Sequence, residues 1–276
     1  MFGFFKKKEE TPRNAGNERF KEFAAQFQAE ELSILAVTGA NSLDGGNSGE
    51  EALWTASIGL TAWMEEDSPD IHQGNFPLSA IVDEQLLEIL RRRTPRDFII
   101  KFKGRVSEDG QRLLLLDLPE PGFDPDLKAI LEQQKKPVTF WEDGLGTFTL
   151  NRQVDWFETE TDWLGTTVCL VFDRNEERAD CVSGARKLLA EAESWDSRVR
   201  EYAADELGGH PEDAGENGAV TRELFTERME LESIEIRGDG RFEFWFGNGD
   251  TGCSIRVSGD LENGPKDAGM EGLGGA

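Results

Sequence analysis

The chain has 276 residues, 30 Lys and Arg against 55 Asp and Glu, a net charge of −25, 18 Phe and 7 Trp. That length suggests two domains, and the aromatic residues supply enough apolar area for a core in each. So negative a surface argues against nucleic acid and anionic lipid as partners, and no apolar run approaches the ~18 residues of a membrane span.

The charge is uneven. Residues 1–137 carry 17 basic and 24 acidic side chains, a net of −7, and residues 138–276 carry 13 and 31, a net of −18. An acidic exterior favours solubility and attracts basic proteins. Residues 1–13 read as a flexible arm. Phe2, Phe4 and Phe5 beside Lys6, Lys7 and Lys8 could touch a membrane surface, but offer too little area for stable insertion. Charge follows the apolar residues there, without an apolar core segment or cleavage site, so no signal peptide is expected.

Phe20, Phe23 and Phe27 mark one helix face, and Leu32 to Val37 reads as a strand. A Gly- and Asn-rich loop runs from Gly39 to Gly49. Ala52 to Met64 is a second strand, in which Gly59 suggests a bend or bulge. Ser79 to Arg93 is read as a helix with Val82, Leu86, Ile89 and Leu90 on one face, stopped by Pro95. Phe98 to Val106 and Leu113 to Leu118 are strands around a turn at Ser107–Gly110. Asp124-Pro125 starts a helix that Pro137 ends. The first domain, 14–137, therefore reads α-β-β-α-β-β-α.

Residues 135–145 look like a boundary. Beyond it, Gly146 to Leu150, Val154 to Trp163 and Thr166 to Phe172 read as strands, with a tight turn at Leu164-Gly165. Val168, Leu170 and Phe172 point one way and Cys169 and Val171 the other, as in a central strand. Asp180 to Leu207 is expected to be one long helix, with Trp195 and Tyr202 facing a sheet. Thr221 is read as capping a short helix to Met229. Three alternating runs across Glu230–Leu261, separated by Gly238-Asp-Gly240 and Gly247-Asn-Gly-Asp250, form an antiparallel meander with Phe242, Phe244 and Phe246 on one face. The expected fold class is thus α+β in two domains. The second, 138–262, is an antiparallel sheet (β3-α2-β3) on one long helix, and a flexible tail covers 263–276.

Several blocks carry a resemblance: Leu145 to Arg152, Trp195 to Leu207, Leu231 to Ile234, Phe242 to Asp250 and Ile255 to Gly259. In that order they resemble a bacterial family of unknown function, number 2262, over roughly residues 138–268. The first half resembles the region that accompanies that domain in some members. The resemblance implies a bacterial cytoplasmic protein and no particular activity. The family pattern has a longer aromatic segment ending Gly-His-Ser-Ile before its last strand. Here Gly249-Asp250-Thr-Gly-Cys-Ser-Ile255 is short and lacks the His.

Candidate chemistry is sparse. Glu158, Glu160 and Asp162 share one side of a strand with Trp156, and Asp250 sits in the loop before the last strand. These five are the binding candidates. An acid row beside an aromatic could hold a sugar or a cation, and paired carboxylates hydrolyse glycosides; a solvent-facing strand side is the plain alternative. His72 and His210, the two histidines, are read as surface loop residues, which leaves no expected zinc site or Ser-His-Asp system. Cys169, Cys181 and Cys253 are expected as free thiols. Gly144-Leu-Gly146 lacks the context of a dinucleotide loop, and no cofactor is expected. Arg91, Arg92, Arg93 and Arg96 form the densest basic patch, at a helix C-terminus that suits them. Three functions stay open: a non-catalytic binder of a basic protein, such as a toxin-neutralising module; a hydrolase using the carboxylate row; and a peripheral membrane or assembly factor acting through the N-terminal arm.

Overall fold

The computed structural model describes residues 19–46, 53–207, 222–248 and 253–272. It is a mixed α+β structure whose chain divides between Lys136 and Pro137 into two compact units.

In the first unit a helical segment over residues 19–24 (α1) precedes β1 (Leu32–Thr38), β2 (Asp44–Gly46), β3 (Trp54–Glu65), β4 (His72–Val82), α2 (Glu84–Arg93), β5 (Ile99–Val106), β6 (Leu113–Leu115), β7 (Glu120–Pro121) and α3 (Pro125–Gln134). The strand order is β1-β3-β4-β6-β5, and β5 pairs back onto β1, so five strands close into a barrel. Neighbours are antiparallel except β4 and β6. Three hairpin-linked strands with the next returning beside the first make a Greek key, a barrel of the OB-fold kind. Ile34, Ile58, Leu78, Ile100 and Phe102 fill its interior. Leu35, Val37 and Met64 point outward beneath Leu127 and Leu131 of α3.

One irregularity sets which β3 side chains face in. Against β1, Val37 pairs with Ala62 but Thr38 with Leu60, so Thr61 is an extra residue. A bulge reverses the alternation beyond it. Leu60 belongs to the interior before the bulge and Trp63 after it, while Ala62 and Met64 turn toward α3. Thr61 Oγ1 donates to Gln134 Oε1 of α3 at 2.5 Å, tying the bulge to the helix.

The sequence reading misplaces two elements here. The helix expected from Ser79 begins at Glu84, after Asp83, whose carboxylate accepts from Leu86 N at 2.8 Å. Phe76, Leu78, Ala80 and Val82 instead alternate along β4, which that reading lacks. Its Pro77 is tolerated because β6 pairs with β4 only at Leu78 and Ser79.

The second unit contains β8 (Thr139–Glu142), β9 (Gly146–Asn151), β10 (Trp156–Trp163), β11 (Thr166–Asp173), α4 (Arg178–Ala190), α5 (Ala192–Leu207), α6 (Arg222–Glu227), β12 (Met229–Ile236), β13 (Arg241–Asn248), β14 (Cys253–Asp260) and β15 (Gly264–Gly272). Eight strands lie in chain order across one sheet. Buried residues of all three helices join one cluster with Phe148, Phe172, Ile234 and Phe244. Trp195 of α5 meets the Phe242 ring edge-on at 5.2 Å, and Tyr202 packs at the margin. The meander, the Leu164-Gly165 turn (φ 55° and 88°) and the central β11 follow the sequence pattern.

Four features correct the expected β3-α2-β3 arrangement. The sheet has eight strands, and β11 pairs with β12 in parallel, because the helices carry the chain back to the same end before β12 begins. The long helix is two, since Glu191 (φ −122°, ψ 30°) leaves helical geometry between α4 and α5. The boundary at 135–145 holds β8, whose Phe140 stacks on Phe148 at 4.9 Å. Residues 264–272, expected as a frayed tail, form β15 along β14. The arm at 1–13, the Thr221 cap and His210 lie outside the described residues.

Candidate functional site

Alternation along β10 turns Thr159 and Trp163 toward the helices and Trp156, Glu158, Glu160 and Asp162 to the opposite face. Pairing spreads this second face over the neighbouring strands. Glu158 lies between Thr149 of β9 and Val171 of β11; Val171 is opposite Glu235 of β12, and Glu235 opposite Glu243 of β13. The next row runs from Glu160 through Cys169 and Ser233 to Trp245 and Arg256. Two residues of strand separate Glu158 from Glu160, about 7 Å along the chain.

Two halves of this face are charged differently. Toward β15 the carboxylates have cations. Arg237 reaches Glu235 at 3.0 Å, and Arg256 reaches Asp267 at 2.9 Å, Glu271 at 3.3 Å and Glu243 at 3.7 Å. Along β10 they do not. Glu158 accepts from Asn151 Nδ2 at 3.1 Å and Asp162 from Gly165 N at 3.3 Å, and among the described residues neither these nor Glu160 has an ion pair. Thr147, Thr149, Glu158, Glu160, Thr167 and Cys169 surround a shallow depression of about 410 Å³.

Two groups show what the face does to charge. Glu235 is 5% exposed, and burial raises its pKa above the ordinary carboxylate range; Arg237 opposes the shift and Glu243 adds to it. Burial also raises the Cys169 thiol, and the negative charges of Glu158 and Glu160 add to the effect. The thiol therefore stays protonated near neutrality, the weakly nucleophilic form. Cys169 and Cys181 are free, and Cys181 is fully buried with its pKa pushed up to about 12.

Of the five candidate residues, β10 thus brings four onto one face, and Asp250 lies outside the described residues. Pattern alone did not mark Glu235, Glu243, Trp245 and Arg256, since they join the face only through the parallel β11–β12 pairing. His72, expected in a surface loop, is exposed but lies in a strand. It opens β4 and stacks on Trp63 at 4.1 Å with 15° between the rings. An aromatic opposite a His in a hairpin was the available signal, but it needed β4 to be recognised.

Residues 142–270 match the family described as an uncharacterized protein conserved in bacteria (DUF2262), and residues 19–134 match a domain of unknown function (DUF7021). The first of these is the family whose blocks the C-terminal half resembles. No curated protein matches the chain. Among solved structures, the wild-type single-stranded DNA binding protein from Thermus aquaticus is similar at 10% identity and a TM-score of 0.23, over 53% of this chain and 75% of that one. No described helix is long and apolar enough to cross a membrane.

Proposed function

Two halves that each match a family without an assigned activity are the premise, and from it we propose a non-catalytic bacterial binding protein whose C-terminal half engages a basic protein. The proposal places it in the cytoplasm. The observation that carries this reading is the unneutralised row Glu158, Glu160 and Asp162. It lies on the same sheet face where Arg237 and Arg256 neutralise the carboxylates farther along. Carboxylates without cations of their own, Glu160 and Asp162 exposed and Glu158 half-buried, leave a negative potential that steers and orients a positive partner. Trp156 beside them adds apolar contact area, and the protonated Cys169 thiol argues against a cysteine nucleophile in the depression's lining. A toxin-neutralising role is one form such binding could take, and rests on analogy alone.

A pulldown from native cells at low and high salt, with wild type and an E158Q/E160Q/D162N variant, tests the proposal. A basic protein should be held at low salt, released at high salt, and absent from the variant lanes. Capture that is indifferent to both salt and the three substitutions would refute it.

A further inference from the structure

The barrel has a cavity at the end where β1 and β4 begin and β3 and β5 finish. Its volume is about 530 Å³, within the range of small-ligand sites. The wall is of three kinds. Trp63, His72 and Phe76 are aromatic; Gln28, Gln73 and Gln111 carry amides; Glu30, Glu65 and Asp109 carry carboxylates. Among the described residues no lysine or arginine lines it. An anionic ligand is therefore unsuited, and a cation would meet three negative charges.

The Thr61 bulge builds this site, because it turns Trp63 inward. Phe76 abuts the indole edge-on at 6.2 Å and His72 covers its face, so Trp63 is only 4% exposed. Its Nε1–H, the one polar atom of a ring that lines the cavity, is buried without a hydrogen-bond partner. A buried donor left unsatisfied carries a desolvation penalty, which an acceptor on a ligand would relieve. Asp109 accepts from Ser107 Oγ and Gln111 N, and these bonds, with a smaller contribution from the charge of Arg112, hold it below the ordinary carboxylate range. Glu30 and Glu65 have no ion pair among the described residues.

From this lining we infer that the barrel end binds a basic peptide segment, with one arginine or lysine side chain inserted between Glu30, Glu65 and Asp109. Each part of the wall then has a use. The carboxylates meet the cation, the exposed His72 ring offers a face for a guanidinium to stack on, and the glutamines and the indole N–H meet peptide groups. A guanidinium alone has no acceptor for the indole, so a peptide fits better than a small cation. This inference concerns the other unit and does not depend on the β10 face.

Only two histidines are present, so full-length protein labelled with ¹³C at histidine gives two imidazole signals, assigned through an H210Q variant. Titration with a blocked tetra-arginine peptide should shift the His72 signal saturably. An E30Q/E65Q variant, with both changes at the cavity wall, should weaken that binding about tenfold or more, while E158Q/E160Q leaves it unchanged. The E158Q/E160Q arm separates failure here from failure of the sheet-face proposal. A His72 signal that does not move, or that moves equally in E30Q/E65Q, would overturn the inference. So would a response to maltotetraose without one to the peptide, which would make this a carbohydrate site.

Discussion

The two units solve the problem of sheet edges differently. In the first, β5 pairs with β1 and the sheet closes, so side chains alternate between a filled interior and outer patches beneath α1 and α3. In the second, the sheet stays open between β8 and β15, and all three helices pack on one side. Closure leaves the barrel little room for a binding site except at its ends. Openness gives the second unit a whole face, with the charge pattern of eight strands written across it. A site in the first unit is therefore an open cleft at a barrel end, and one in the second lies on the open sheet face.

Core truncation tests this contrast with the largest expected effect. Phe102, inside the barrel, is 2% exposed, and Phe244, under the helices, is 0% exposed. Either change to Ala should cost about 3–5 kcal/mol in denaturant unfolding. A clearly smaller loss for Phe244 would mean that the open sheet collapses onto the vacancy in a way the closed barrel cannot.

Acid titration sharpens the comparison next, because Glu235 has no buried carboxylate counterpart inside the barrel among the described residues. Its folded pKa is raised, so its stabilising share is present below its unfolded pKa and is lost as pH rises through the folded value. Relative to wild type, E235Q should gain stability as pH climbs above the unfolded carboxylate value of about 4. A variant-minus-wild-type difference that is flat with pH, measured by thermal melts, would contradict the burial argument.

Helix caps give the smallest effect. In the barrel unit, Asp83 and Asp124 both cap helices through their carboxylates, whereas Glu177 before α4 makes no such bond. Asp83→Ala should cost about 1 kcal/mol and Glu177→Ala close to nothing. Equal losses in urea unfolding would remove this difference between the units.

How far the sequence could be read follows the same division. Where apolar alternation and turn chemistry coincide, as from Met229 to Asp260, the three strands and their antiparallel order are legible. β15 was not. Gly264–Gly272 has almost no apolar alternation, and it is held by backbone pairing, by Lys266 on Asp260 and by Arg256 on Asp267 and Glu271. The break at Glu191 carries no Gly or Pro, and apolar periodicity runs straight through it. Barrel closure and the parallel β11–β12 pair join residues far apart in the chain, which periodicity cannot register. The same limit divided the candidate residues. The acids on β10 share one strand and could be found, while the cavity wall gathers residues from Gln28 to Gln111.

The bulge at Thr61 acts like a shift of phase in a two-beat rhythm. Side chains before it and after it keep opposite time in the numbering, and Trp63 faces the barrel interior because the extra beat is left out of the pairing. Exchanging Thr61 for another small polar residue leaves the count intact. Drawing Thr61 into the regular pairing would send Trp63 outward and bring Ala62 and Met64 in, whereas deleting it leaves Leu60 and Ala62 opposite Thr38 and Val37 with Trp63 still facing inward.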